Sequence, residues 1–285
     1  MRYAFFGTPE FASIVLERLI SAGFPPSLLV CNPDRPVGRK KITTPPPAKQ
    51  SVLDQDESIR EEIEIVQPEK VREIETTLQS GNFDFFVIAA YGKIIPNDIL
   101  EIPKFGTIGV HPSLLPIHRG SSPIQTTILN GDKETGVTLY MVDALVDHGP
   151  VVAEKKLESY DIDSMSYPSL HDALAKLGAD MLIRLIPKIG KEQIALLHQD
   201  ESKATFTKKF VTEDGFVDEG DLEEAMAGNK EKAITIDRKI RALNPEPGVY
   251  TIQKGERTKL LEAEVRNDSL ILKTIQIAGK TPQRV

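Results

Sequence analysis

Two titratable side chains stand where catalysis is usually done, at the ends of strand-like runs. His111 follows the short run Thr107-Ile108-Gly109-Val110, and Pro112, Pro116 and Gly120 then forbid either a continuing central strand or an immediate helix. The imidazole therefore sits at a strand-to-loop mouth, the edge at which open α/β sheets bind ligands. Further along, Thr135-Gly136-Val137-Thr138-Leu139-Tyr140-Met141-Val142 has a strand pattern and runs into Asp143-Ala144-Leu145-Val146-Asp147-His148-Gly149. If the two strands are neighbours, Asp147 faces His111, an arrangement that orients an imidazole and favours its charged form. The plainer alternative, a histidine that only closes a turn, stays open on spacing alone.

Positioning such a pair requires a sheet, and the chain supplies one in alternation with helices. Residues 2–6 form a buried-strand candidate, and Thr8, Pro9 and Glu10 then suit the cap, first position and first turn of a helix whose apolar stripe is Phe11, Val15 and Leu19. Residues 27–31 and 83–90 are further strands, the second with the continuous apolar character of a central parallel strand. Ser122-Pro123 opens a short helix that ends near Asn130-Gly131, and residues 166–188 carry a core-facing stripe of Leu170, Leu174, Leu177, Met181 and Leu185. The alternation predicts a doubly wound, mostly parallel α/β sheet. Residues 190–206 read as a linker. A helix bearing Ile236, Ile240 and Leu243 follows, and β segments near 249–253, 258–265 and 269–277 predict a small antiparallel barrel or sheet.

The totals narrow the class. The single cysteine, Cys31, rules out an internal disulfide and fits a reducing compartment. No apolar run approaches the roughly 20 residues that span a bilayer, and no signal-peptide pattern opens the chain. A cytoplasmic protein is expected. A net charge of −7 argues against a surface that grips nucleic acid everywhere, yet the deficit is uneven: residues 203–285 hold 15 basic and 14 acidic groups, so the C-terminal part is nearly neutral. One basic excursion, Arg35-Pro36-Val37-Gly38-Arg39-Lys40-Lys41, has no periodicity and is expected to be a long mobile loop, either simply solvated or a phosphate-contacting arm.

Several of these stretches, taken in order, resemble the methionyl-tRNA formyltransferases, a branch of the folate-dependent formyltransferases. They are Phe6-Gly7-Thr8-Pro9-Glu10-Phe11-Ala12, Pro33-Asp34-Arg35-Pro36-Val37-Gly38-Arg39, Ala90-Tyr91-Gly92, the Val110-to-Pro116 run, Arg119 to Gln125, Glu134 to Thr138, and Ile236 to Pro245. The resemblance covers nearly the whole chain. It implies a Rossmann-like catalytic domain at 1–189, a linker at 190–205, and a small OB-like β-barrel domain at 206–285 that contacts tRNA. It also implies transfer of a formyl group from 10-formyltetrahydrofolate, as co-substrate and without a metal, to the free amine of initiator methionyl-tRNA. Ser113, Leu114, Leu115, Pro116, Tyr91 and Gly92 would bind the folate, and Arg35, Arg39, Lys40 and Lys41 the tRNA. His111 would stabilise a tetrahedral oxyanion, with Asp147 holding the ring and assisting removal of the amine proton. A monomer is expected, and no membrane.

One position departs from the family pattern. Gly109 stands where an asparagine is expected two residues before the histidine, and losing one oxyanion donor can cost about 10²–10³ in rate. Gly109 is therefore a catalytic position of interest through its backbone N–H or through whatever replaces the amide. His148 beside Asp147 is a second, smaller departure. Two other readings follow: an N-formyltransferase acting on an amino-sugar nucleotide, which shares the central motif but needs no basic arm, and a catalytically weak folate- or RNA-binding homologue.

Overall fold

The computed structural model describes residues 1–285 except Arg39, Ser159, Glu192, Gln193 and Lys254. Its strands in chain order are β1 (Tyr3–Gly7), β2 (Leu28–Val30), β3 (Arg35–Val37), β4 (Ile42–Thr44), β5 (Glu64–Val66), β6 (Phe85–Ala89), β7 (Thr107–His111), β8 (Arg119–Gly120), β9 (Gly136–Met141), β10 (Val151–Lys156), β11 (Phe206–Thr207), β12 (Tyr250–Gln253), β13 (Glu256–Arg266), β14 (Ser269–Ile277) and β15 (Gln283–Arg284). The helices are α1 (Glu10–Ser21), α2 (Pro47–Leu53), α3 (Glu57–Glu62), α4 (Glu75–Ser80), α5 (Asn97–Leu100), α6 (Pro123–Asn130), α7 (Tyr167–Leu185), α8 (Glu219–Met226) and α9 (Lys230–Leu243).

Two compact units divide the chain. The first takes residues 1–119, 136–158 and 171–205, and the second takes 120–135, 159–170 and 206–285. Residues 190–205, expected as a linker, belong to the first unit. Leu197 bridges to Val151, and the Thr205 N–H donates to the Pro116 carbonyl over 3.2 Å.

In the first unit a seven-stranded sheet runs in the order β10-β9-β7-β6-β1-β2-β5. The five strands from β7 to β5 are parallel, while β9 and β10 are antiparallel additions at one edge. All five residues of β1 are buried, as a strand covered on both faces requires. Ala4 and Phe6 point into a cluster with Leu28, Val30, Leu78 and Phe86, and each fully buried apolar side chain of this kind contributes about 1.5–3 kcal/mol. Thr8 does not cap α1. Its hydroxyl accepts from the Asn32 N–H (3.2 Å) and donates to the Tyr91 carbonyl (3.4 Å), tying together the carboxyl ends of β1, β2 and β6.

The basic excursion is not an aperiodic loop. Arg35, Pro36 and Val37 pair with Thr44, Thr43 and Ile42 in a short hairpin. Its side chains are exposed on both strands, so no apolar alternation announces it.

The second unit is built on the antiparallel sheet β12-β13-β14-β15, with α9 packed against α6, α8 and that sheet. Among the described residues β12 and β15 do not pair, so of the small antiparallel barrel or sheet expected here the structure has the open sheet. The last strand has only two residues, too few to seal an edge, and the outer edge of β12 instead receives a bridge from Phe216.

Candidate active site

β7 and β9 are neighbours, but they are antiparallel, so their ends do not share one edge of the sheet. The register sets Gly109 opposite Tyr140 and His111 opposite Thr138, whereas the carboxyl end of β9 lies beside Ile108, at the start of β7. The expectation that two strand ends present their groups side by side is therefore replaced by another device. The loop at 142–150 folds back, and Asp147 returns to the face occupied by His111. Asp147 has a positive φ of 48°, a conformation that aspartate tolerates better than most residues.

The two groups meet in the first unit. His111 is buried, and its Nδ1 lies 3.6 Å from Asp147 Oδ2. The other ring nitrogen, Nε2, lies 2.9 Å from the His118 carbonyl oxygen, which can only accept, so Nε2 carries a proton. Ring orientation and tautomer are thereby set, leaving Nδ1 as the nitrogen that faces the carboxylate. A separation of 3.6 Å is too long for a hydrogen bond and within ion-pair reach. The second carboxylate oxygen, Asp147 Oδ1, accepts from the Tyr140 hydroxyl at 2.6 Å.

Two further contacts hold the Asp147 loop. The Gln199 side-chain amide donates to the carbonyls of Asp147 (2.9 Å) and Gly149 (2.8 Å). Gln199 is itself fixed by Arg119, whose guanidinium donates to Gln199 Oε1 (3.0 and 2.8 Å) and to both carboxylate oxygens of Glu201 (2.9 and 2.6 Å). The Arg119 side chain is 2% exposed, and the bond to Glu201 holds that carboxyl below its usual range. His148 points to other acids, with Nδ1 2.7 Å from Asp143 Oδ2 and Nε2 3.6 Å from Glu201 Oε1.

Thr138, opposite His111, pins the loop that follows the histidine. Its hydroxyl donates to the Ser113 carbonyl (2.8 Å) and accepts from the Leu115 N–H (3.0 Å), while the Ser113 hydroxyl donates to the Ile117 carbonyl (2.5 Å). The polar groups of Ser113 are thus spent on shaping the Ser113-Leu114-Leu115-Pro116 turn. Tyr91 and Gly92 leave the carboxyl end of the adjacent parallel strand β6, in register with β7. At Gly92, φ is 78° and a Cβ would meet nothing within 4 Å, and the nearby Ile94 is 93% exposed. The carboxyl end of β6 thus leads into open backbone at Gly92 and an exposed apolar side chain at Ile94.

Gly109 contributes no side chain, and the structure shows why none fits. A Cβ built there would lie 2.6 Å from Tyr140 Cζ and 2.9 Å from its hydroxyl oxygen. The tyrosine ring occupies the space a residue at 109 would need. Neither Tyr140 nor Gln199 is evident as a site residue in the sequence. The first depends on strand register, the second on a long-range return of the chain.

Of the basic residues, Arg35 donates to both oxygens of Glu69 (2.9 and 2.7 Å), and Lys40 and Lys41 are exposed in the hairpin turn. Arg39 lies outside the described residues. An apolar cavity of about 420 Å³, lined by Phe105, Ile108, Met141 and Leu196 among others, takes in none of the predicted site residues. Ile108 and Met141 alternate with Gly109 and Tyr140 and so face away from His111. No helix among the described residues is long and apolar enough to cross a membrane.

Residues 1–186 match the family described as formyl transferase, and residues 229–283 match the formyl transferase C-terminal domain. A methionyl-tRNA formyltransferase of Methylococcus capsulatus is 37% identical, over 93% of this chain and 81% of its own length. Among solved structures, a methionyl-tRNA formyltransferase from Clostridium thermocellum superposes with a TM-score of 0.60 at 17% identity, covering 97% of this chain and 99% of that one. A 4-N formyltransferase from Francisella tularensis superposes with a TM-score of 0.66 at 17% identity over 93% of this chain and 99% of that one, a likeness of fold.

Proposed function

Because the chain belongs to the formyl transferase family, we propose that it transfers a formyl group from 10-formyltetrahydrofolate to the free amine of initiator methionyl-tRNA. The observation that carries the chemistry is the pairing of His111 Nδ1 with Asp147 Oδ2 across 3.6 Å. Support for the acceptor comes from relatives of that name matched along most of both chains.

The folate supplies the formyl group, and the chain's residues do the rest. Tyr91, Gly92, Ser113, Leu114, Leu115 and Pro116 bind the folate. His111, carrying protons on both nitrogens, keeps Nε2–H on the His118 carbonyl and offers Nδ1–H to the formyl oxygen as negative charge develops there. Asp147 Oδ2 accepts the proton shed by the attacking amine as the new C–N bond forms, and cleavage of the bond between the formyl carbon and folate N10 then releases tetrahydrofolate, that proton passing to N10. Gly109 serves by admitting Tyr140. Arg35, Arg39, Lys40 and Lys41 meet phosphates of the acceptor stem, and the second unit adds contacts to the tRNA.

The test is to incubate the protein with 10-formyltetrahydrofolate and either initiator methionyl-tRNA or a free amino-sugar nucleotide, reading products by mass spectrometry. Formylmethionine released from the tRNA is expected. Formylation of the sugar alone would overturn the acceptor assignment.

A further inference from the structure

We propose that Tyr140 is a positioning residue of this reaction: its ring fills the place of a side chain at 109, and its hydroxyl holds Asp147 against His111. The inference rests on the formyl-transfer reading of the His111–Asp147 pair, and it assigns a role to a residue outside that pair.

Three observations converge. Gly109 and Tyr140 are directly opposed across β7 and β9, so their side-chain directions share the face on which His111 also lies. Tyr140 is buried, and its hydroxyl donates to Asp147 Oδ1 at 2.6 Å, leaving Oδ2 toward the imidazole. Its ring stands edge-on to that of His111, centroids 6.4 Å apart. One rigid side chain thus touches the carboxylate directly and braces the ring that faces it. Burial first, and then the charge of Asp147, pushes the phenol well above its ordinary value, so the hydroxyl keeps its proton and acts as a donor. The loop bearing Asp147 is secured through its backbone by Gln199, but that contact does not fix the carboxylate's own rotation. Tyr140 does.

The charged groups around the pair are Asp143 and His148 on the same loop, Arg119 after β7, and Glu201 near Gln199. None of them changes when Tyr140 becomes Phe, so a displaced pH response reports on the missing hydroxyl.

Tyr140→Phe keeps the ring and removes only the donor. Losing a hydrogen bond to a charged group is expected to lower kcat about ten- to a hundredfold, with KM for 10-formyltetrahydrofolate held within about twofold. Both limbs of the kcat profile draw inward: the acid limb moves to higher pH because the carboxylate loses a donor, and the alkaline limb moves to lower pH because the imidazolium loses a fixed partner. Gly109→Ala displaces the ring while leaving its hydroxyl intact and should produce the same inward shift. The double variant should be no worse than the more impaired single, since both changes break one contact.

NMR titration of the His111 ring supplies a readout that needs no substrate, with a midpoint in Tyr140→Phe below that of the unaltered protein. An unshifted or raised midpoint, or a wild-type pH profile in Tyr140→Phe, overturns the role of Tyr140. If the unaltered protein formylates neither acceptor while the midpoint falls as expected, the formyl-transfer reading fails and the positioning contact stands.

Discussion

The imidazole of His111 has one nitrogen committed to a backbone carbonyl and the other aimed at a carboxylate it does not quite reach. Such a gap suits a reaction in which one partner donates and the other accepts at a shared centre. Gly109 belongs to the same unit because its missing side chain makes room for Tyr140. Restoring an asparagine at 109, which the family pattern invites, is therefore not expected to add an oxyanion donor. Gly109→Asn should instead overpack the β7–β9 contact and destabilise the protein by about 1–3 kcal/mol, measured by urea denaturation. A variant as stable as the original would mean that the ring yields easily. His111 and Asp147 were legible in sequence because titratable groups beside Pro and Gly at strand ends are distinctive. Tyr140 was not, because its partnership with Gly109 exists only once the antiparallel register is known.

The element that makes the site is the return loop at 142–150. Next to Asp147 its backbone is held by the side-chain amide of Gln199, which reaches the carbonyls of both Asp147 and Gly149 and is fixed in turn by buried Arg119. Gln199→Ala removes both bonds. Hydrogen exchange of the loop's amides should then quicken while that of β1 and β6 stays as before, and kcat should fall with the loosened aspartate. Unchanged exchange in the loop would show that the clamp is redundant. The parallel core was readable from its apolar runs, α7 and α9 from their helical stripes, and α6 from its Ser122-Pro123 start and Asn130-Gly131 end. The hairpin β3–β4 was not, since none of its residues is buried and its pairing depends on backbone alone. Nor was the attachment of residues 190–205 to the first unit, whose anchors are single polar contacts without periodicity.

At the scale of the whole molecule, stability at alkaline pH follows from what the core holds uncharged. Burial pushes the Cys31 thiol from its ordinary value of 9.0 up to about 12, so the folded state keeps a proton that the unfolded chain gives up. The sign is fixed by that difference: as pH rises above about 9, the unfolded state binds fewer protons and stability falls, by at most about 1.4 kcal/mol per pH unit from this group. Urea denaturation between pH 8 and 10 should show that decline, and Cys31→Ala should flatten it. An identical slope in the variant would assign the decline to other groups. The proposed chemistry is open to a more direct trial, the single-turnover rate of formyl transfer to methionyl-tRNA in His111→Gln and Asp147→Asn. Each is expected to be slower by about 10²–10⁴-fold, and the double variant no slower than the worse single by more than a small factor. Either single variant transferring at the unaltered rate would contradict the pair.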